Sequence, residues 1–353
     1  MNKKMVFPLL VLLIASCNLP GSPPPTETLP PPTEVPSQSP PDPTAVDHQD
    51  IPASSSSVQP YPDVTSDDTA PDKRAPYGDS FEINRLERPF TQDMAYLPDV
   101  DIASFGISED DTWYYISIEL VGKNPNNTPE IRFAVELDTN ADSFGDFLIA
   151  ADPPYSEEWA TENISIFTDT NRDTAGASAS RSDAVFTGNG FDSLIHKPAE
   201  NIGTDPDTAW VRINAGEFAT VQFAIKKTFS GGVFFYSVMA DAGLKDAARL
   251  DYVDYFKESD AGSPVRENPT YPLKALFAVD NTCYQAVGFK PTLFEPKVCP
   301  VIVQPVFASP RQPGPGGTAP PPDQNSCDAT GSPDPGNCPW GWSDWPYCVC
   351  TPG

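Results

Sequence analysis

Two short acidic turns are the residues best suited to chemistry in this sequence. In Asp138-Thr139-Asn140-Ala141-Asp142-Ser143-Phe144-Gly145-Asp146, oxygen side chains recur at alternate positions, and Asp169-Thr170-Asn171-Arg172-Asp173 repeats the D-T-N-x-D pattern. Alternating oxygens can wrap a hard cation, and Ca²⁺ takes about six to eight of them at about 2.4 Å. Asp138, Asn140, Asp142 and Asp146 fall at positions one, three, five and nine of an EF-hand-like loop. There is no glycine at position six, Ile149 stands where the bidentate Glu belongs, and no helices flank the loop, so it is not an EF-hand. Calcium is the expected cofactor, held by Asp138, Asn140, Asp142 and Asp146 in the first turn and by Asp169, Asn171 and Asp173 in the second. The competing reading is plain turn chemistry, since Asp and Asn make Asx-turns, and Arg172 can itself neutralise the second cluster. Both turns follow strands, so they can meet at one end of a sheet and share an ion.

Cysteines and aromatics come next. Apart from Cys17 there are six cysteines, an even number that reads as disulfides if the chain is exported. Cys283 and Cys299 are expected to pair. Cys327, Cys338, Cys348 and Cys350 sit in a tail too short for a core, where two bridges would staple it, in any of three connectivities. Zinc is the weaker alternative there, with no histidine nearby and no C-x-x-C spacing. Trp340, Trp342 and Trp345, with Tyr347, crowd the same tail and can stack on a sugar or a partner, or simply cover its disulfides. Tyr252, Tyr255 and Phe256 form a second aromatic group beside Asp251 and Asp254.

Catalytic signatures are missing: there is no G-x-S-x-G, H-E-x-x-H or P-loop. Glu157, Glu158, Asp251, Asp254 and Glu258 offer a glycosidase-type carboxylate pair only in the sense that acids are abundant everywhere. His196 is the one histidine of the main domain and reads as a surface residue before Lys197-Pro198; His48 lies far upstream.

Stepping from residues to segments, Lys3 and Lys4 precede an apolar run over 5–14, too short to span a bilayer, which needs about twenty residues. That is the form of a signal peptide. Its end, Ile14-Ala15-Ser16-Cys17, resembles the bacterial lipobox, which implies cleavage after residue 16 and a diacylglycerol on Cys17. Acyl chains contribute about 0.8 kcal/mol per buried methylene, enough for two or three to anchor a protein without a membrane-spanning helix. Residues 17–75 are rich in Pro, Ser and Thr and are expected to form a disordered, semi-rigid stalk. Residues 305–326 are a second linker, leading to the Cys/Trp-rich tail at 327–353. The formal charge of −27 argues against nucleic acid, whose phosphates demand Lys and Arg, and against anionic membrane surfaces.

Residues 76–304 are the folded domain. Strands with period-two alternation are expected at 113–120, 131–137, 147–150, 164–167, 210–213, 221–225, 233–239 and 276–279. Tyr114, Ile116, Ile118 and Leu120 share one face, as do Ile131, Phe133, Val135 and Leu137. Only 242–255 is expected to be a helix of any length. The fold class is therefore mainly β, a β-sandwich or jelly roll between a disordered Pro-rich N-terminal stalk and a small disulfide-rich C-terminal tail.

The segments Asp99-Val100-Asp101-Ile102, E-D-D-T-W-Y-Y-I-S-I-E-L and F-A-V-E-L-D-T-N resemble β-sandwich domains of the CBM9/DOMON type. Tyr271-Pro272-Leu273-Lys274-Ala275 and Asp280-Asn281-Thr282-Cys283 are similar to motifs of uncharacterised bacterial lipoproteins. The resemblance implies a sandwich that binds sugar, haem or calcium, or nothing, and no residue set transfers a sugar or haem site. The combined expectation is a lipid-anchored module facing outward from the bacterial cell envelope, in contact with the membrane through its anchor and with a glycan or another surface protein. A purely structural lipoprotein, or a glycan-active enzyme, are the alternatives.

Overall fold

The computed structural model describes residues 46–53, 59–76, 85–128, 130–174, 189–243, 246, 250, 256, 258–264, 273–292, 295 and 297–300, with the backbone of 342–344 and 349–350. Strands dominate, and the described helices are single turns such as Lys227–Ser230 and Glu258–Ala261. Among the described residues no helix is long and apolar enough to cross a membrane.

In chain order the strands are β1 (Tyr61–Pro62), β2 (Leu86–Arg88), β3 (Ile102–Glu109), β4 (Trp113–Leu120), β5 (Arg132–Asp138), β6 (Phe147–Ala151), β7 (Ile164–Thr168), β8 (Ser193–His196), β9 (Ala209–Asn214), β10 (Thr220–Lys226), β11 (Phe234–Asp241), β12 (Val279–Asn281), β13 (Gln285–Val287), β14 (Trp342–Asp344) and β15 (Val349–Cys350). A five-stranded sheet runs β1-β3-β4-β10-β9, and an eight-stranded sheet runs β2-β12-β11-β5-β6-β7-β8 with β13 also on β11. Every pairing in both is antiparallel. The β14–β15 ribbon lies in the tail, with Trp342 opposite Cys350.

Alternation explains the packing. Ile116, Ile118 and Leu120 of β4 face Phe133, Val135 and Leu137 of β5 across one apolar layer, joined by Phe223 and Tyr236. Aromatic rings bridge the sheets, with Phe105 edge-on to Tyr236 at 5.9 Å and Tyr114 edge-on to Phe234 at 5.0 Å. Each such ring buries a large apolar area and gains further from the edge-to-face geometry. The expected mainly-β sandwich is thus the observed one.

The large sheet is also covered on its far side. Ala134, Leu148, Ala150 and Met239 pack there under Leu250, Phe256, Ala261 and Leu276. Cys283 and Cys299 are disulfide-bonded, as expected, and Cys299 N donates to Tyr284 O at 2.9 Å.

Three findings differ from the expectation. Composition puts the stalk's end at residue 75, yet Tyr61–Pro62 is an edge strand on β3, and residues 46–53 lie against the five-stranded sheet. Scattered Tyr, His and Asp side chains in this polar stretch find partners that only the folded domain supplies. His196 is not a surface residue: it lies in β8 with 4 % exposure, and burial lowers its pKa. Finally, Ala242 and Gly243 form a bend, and most of the helix expected over 242–255 lies outside the described residues.

Candidate functional site

The turn at 138–146 closes the β5–β6 hairpin, and its carboxylates are bound by N–H and O–H donors. Asp138 is fully buried and accepts Asp142 N at 3.2 Å and Ser143 N at 2.7 Å. Burial, against those donors, pushes its pKa up to about 6. Asp146 accepts Thr139 N at 2.7 Å, Thr139 Oγ1 at 2.6 Å and Asn140 Nδ2 at 3.2 Å. In the second turn Asp169 accepts the N–H groups of Asn171, Arg172, Asp173 and Thr174. Asp173 accepts Asn189 N and Gly190 N, and Asn171 Nδ2 donates to Asn189 Oδ1. The turns are neighbours: Arg172 pairs with Asp142, and Thr174 Oγ1 donates to Gly145 O at 3.0 Å. A cation at either turn must compete with these donors and with the Arg172 guanidinium.

A different carboxylate group leaves sealed oxygens without a donor. Glu87 of β2, Asp101 just before β3 and Asp280 of β12 are fully buried, and each presents an oxygen within 4.8 Å of the others. Asp101 Oδ2 accepts Tyr96 OH at 2.6 Å and Ser66 N at 2.8 Å. Asp280 Oδ2 accepts Ile102 N at 2.5 Å, and Glu87 Oε1 accepts Ser66 Oγ at 2.5 Å. Asp63, one residue past β1, joins them, partly exposed as a residue but with a sealed Oδ2. Asp63 Oδ2, Asp101 Oδ1 and Asp280 Oδ1 are buried and accept no hydrogen bond. Burial, opposed in part by Arg85, pushes Asp63 up to about 7; burial, opposed by the Tyr96 and Ser66 donors, does the same to Asp101. Burial and mutual repulsion hold Glu87 and Asp280 well above the carboxylate range.

These residues were missed because they are dispersed in sequence, at 63, 87, 101 and 280. Two of them nonetheless fall in motifs already noted, D-V-D-I and D-N-T-C. The usable signal was an acid adjoining an apolar strand run, which the fold buries.

A third feature is the outer face of the five-stranded sheet. The core takes Tyr114, Ile116 and Ile118 of β4, so Trp113, Tyr115 and Ser117 point outward. Register sets them beside Lys226, Ala224 and Gln222 of β10, and these beside Trp210 and Arg212 of β9. An aromatic row of Trp113, Tyr115 and Trp210 thus adjoins a hydrogen-bonded row. In that row Arg212 Nε donates to Gln222 Oε1 at 2.8 Å, and Gln222 Nε2 to Ser117 Oγ at 3.0 Å. Trp159 lies at the margin with the Arg212 guanidinium 4.5 Å over its ring. Segment 46–53 crosses the aromatic row. His48 packs on Trp210 at 4.5 Å and bonds Asp207 at 2.6 Å, Asp50 pairs with Lys226 at 2.8 Å, and Trp159 Nε1 donates to Ala53 O at 3.3 Å.

Of the remaining predicted residues, Cys17, Cys327, Cys338, Cys348, Trp340 and Trp345 lie outside the described residues, as do Asp251, Asp254, Tyr252 and Tyr255. Trp342 and Cys350 are placed only by their backbone. Glu157 and Glu158 are exposed loop residues, and Phe256 is buried against the large sheet.

No protein-family model matches the chain, and no curated protein matches it in sequence. Among solved structures it is similar to a family 9 carbohydrate-binding module (CBM9) from Caldicellulosiruptor kristjanssonii in complex with cellotriose, at 12% identity and a TM-score of 0.20. The match covers 41% of this chain and 60% of that one, and so distant a likeness carries no conclusion about ligand.

Proposed function

We propose that the protein is a lipid-anchored, outward-facing binding module that takes carbohydrate on the outer face of its five-stranded sheet. The observation that carries this reading is the pairing of an aromatic row with a row of Arg, Gln and Ser side chains on a sheet's outer surface. Aromatic faces stack on the apolar side of a sugar ring, and a few fixed polar groups orient its hydroxyls. Trp159 and Arg212 are half-buried and form the accessible end, while Trp113, Tyr115 and Trp210 are buried, with His48 of segment 46–53 packed on Trp210 and Ala53 reaching Tyr115. That segment already lies there as an extended, hydrogen-bonding chain, which a linear glycan would extend or displace.

Anchoring is supported by the lipobox-like Ile14-Ala15-Ser16-Cys17 and by the Cys283–Cys299 disulfide, which belongs in an oxidising compartment outside the cytoplasm. Calcium at the two D-T-N-x-D turns is not needed for this reading, because their carboxylates already accept backbone and side-chain donors and Arg172 pairs with Asp142.

The test is retention of the full chain on insoluble glycans and in glycan-loaded native gels. Trp159→Ala and Arg212→Ala should each weaken retention by about tenfold, equivalent to about 1.4 kcal/mol. Loss on Trp342→Ala instead would move the site to the tail. Retention on no glycan would sink the reading in favour of a structural surface module.

A further inference from the structure

We propose that Glu87, Asp101 and Asp280, with Asp63 at their edge, form a calcium site that ties the incoming stalk to both sheets of the sandwich. Asp138 and Asp169 of the acidic turns are buried too, but here three oxygens, Asp63 Oδ2, Asp101 Oδ1 and Asp280 Oδ1, are sealed from water with no donor to receive them. A buried carboxylate oxygen without a partner is costly, and several ionised carboxylates together are more so. Arg85 lies near enough to act on Asp63 and Asp280, yet it brings one positive charge to four carboxylates. A divalent cation removes both penalties at once.

The chemistry of the donors selects the ion. They are all oxygens, which suits Ca²⁺, Mg²⁺ or Mn²⁺ rather than zinc. Mg²⁺ keeps several waters and is usually held by one or two carboxylates, whereas Ca²⁺ accepts several protein oxygens in flexible geometry. A buried group of three carboxylates, with oxygens close enough to share one ion, is of the second kind. In Asp101 and Asp280 one oxygen is fixed by Tyr96 OH, Ser66 N or Ile102 N, leaving the other free to bind. Donors that orient a ligating carboxylate in this way are a usual outer shell of a metal site.

The placement gives the ion a task. Asp101 leads into β3 of the five-stranded sheet, Glu87 and Asp280 belong to β2 and β12 of the eight-stranded sheet, and Asp63 directly follows the edge strand β1. One ion therefore joins both layers at the point where the tether enters. The site does not depend on the glycan reading, and its readout contains no glycan, so either can fail alone.

The experiment is thermal unfolding of the full, oxidised chain after EGTA treatment, with calcium then added back and binding measured by calorimetry. Calcium at a hundredfold excess over Kd should raise Tm by on the order of 5–10 °C. Asp101→Asn and Asp280→Asn should lose that rise, whereas Asp138→Ala should keep it. Because substitutions this deep can prevent folding, Tyr96→Phe supplies a milder variant that removes only an orienting donor, and it should weaken calcium affinity by roughly tenfold or more. The proposal is overturned if the wild-type chain shows no calcium-dependent shift or heat. It is equally overturned if Asp138→Ala abolishes the shift, or if Tyr96→Phe leaves affinity unchanged.

Discussion

Substituting Asp101 by asparagine should flatten the fall of stability with rising pH in calcium-free buffer. Burial pushes the Asp101 carboxyl from 3.8 up to about 7. A carboxyl with a raised folded-state pKa binds its proton more tightly in the fold than in the unfolded chain. Its contribution is therefore fully present below pH 3.8 and is lost as pH rises through about 7. Working the linkage through, this one group removes about 2–3 kcal/mol between pH 5 and pH 8. For a domain of this size that is on the order of 5–10 °C in Tm. The groups that share its environment are Glu87, Asp280, Asp63 and Asp67, the Arg85 guanidinium and the Tyr96 hydroxyl.

Asparagine is nearly isosteric, cannot ionise, and its carbonyl oxygen can still accept from Tyr96 OH and Ser66 N. It exchanges charge-assisted bonds for neutral ones, at a cost of about 1 kcal/mol that does not vary with pH. The assay is thermal unfolding in EGTA at half-unit steps from pH 5 to pH 8. Wild type should fall more steeply than Asp101→Asn, so that the two curves approach or cross near the alkaline end. Adding calcium at pH 8 should then lift wild type alone. Parallel pH profiles would refute the reasoning, because they would mean that Asp101 does not titrate as a buried, crowded acid.

Two further outcomes follow from the fold. Cys283→Ser with Cys299→Ser opens a loop of sequence separation 16, which should lower stability by about 3 kcal/mol in denaturant titrations. Gly122→Ala would set a Cβ 2.1 Å from Asp99 Oδ1 and 2.5 Å from Asp99 Cα, so the segment leading to Asp101 must shift. A loss of about 1–3 kcal/mol is expected by thermal unfolding, together with a weakened calcium response.

Much of the sandwich could be read from alternation. In β4 and β5 a single period-two pattern specified strand, face and core partners, because those segments bury one side in the inter-sheet layer. Short strands such as β2 and β13 gave no such signal, since three residues cannot establish a period. The stalk's inward contacts were hidden for another reason: His48, Asp50 and Tyr61 are isolated in a proline-rich stretch, and their partners Asp207, Lys226 and Phe105 lie far along the chain.

The acidic residues show the same limit more sharply. The D-T-N-x-D turns attract attention because their oxygens are contiguous, but contiguity also brings many backbone N–H groups within reach. Asp169 alone receives four of them. Glu87 and Asp280 lie in paired strands and Asp101 just before β3; Ser66, Tyr96 and Ile102 reach them, yet Asp101 Oδ1 and Asp280 Oδ1 receive no donor. Strand-borne carboxylates brought together by tertiary structure therefore have fewer local donors and a greater need for an external cation. A cation requirement is set less by how many acids adjoin in sequence than by how few donors the fold leaves them.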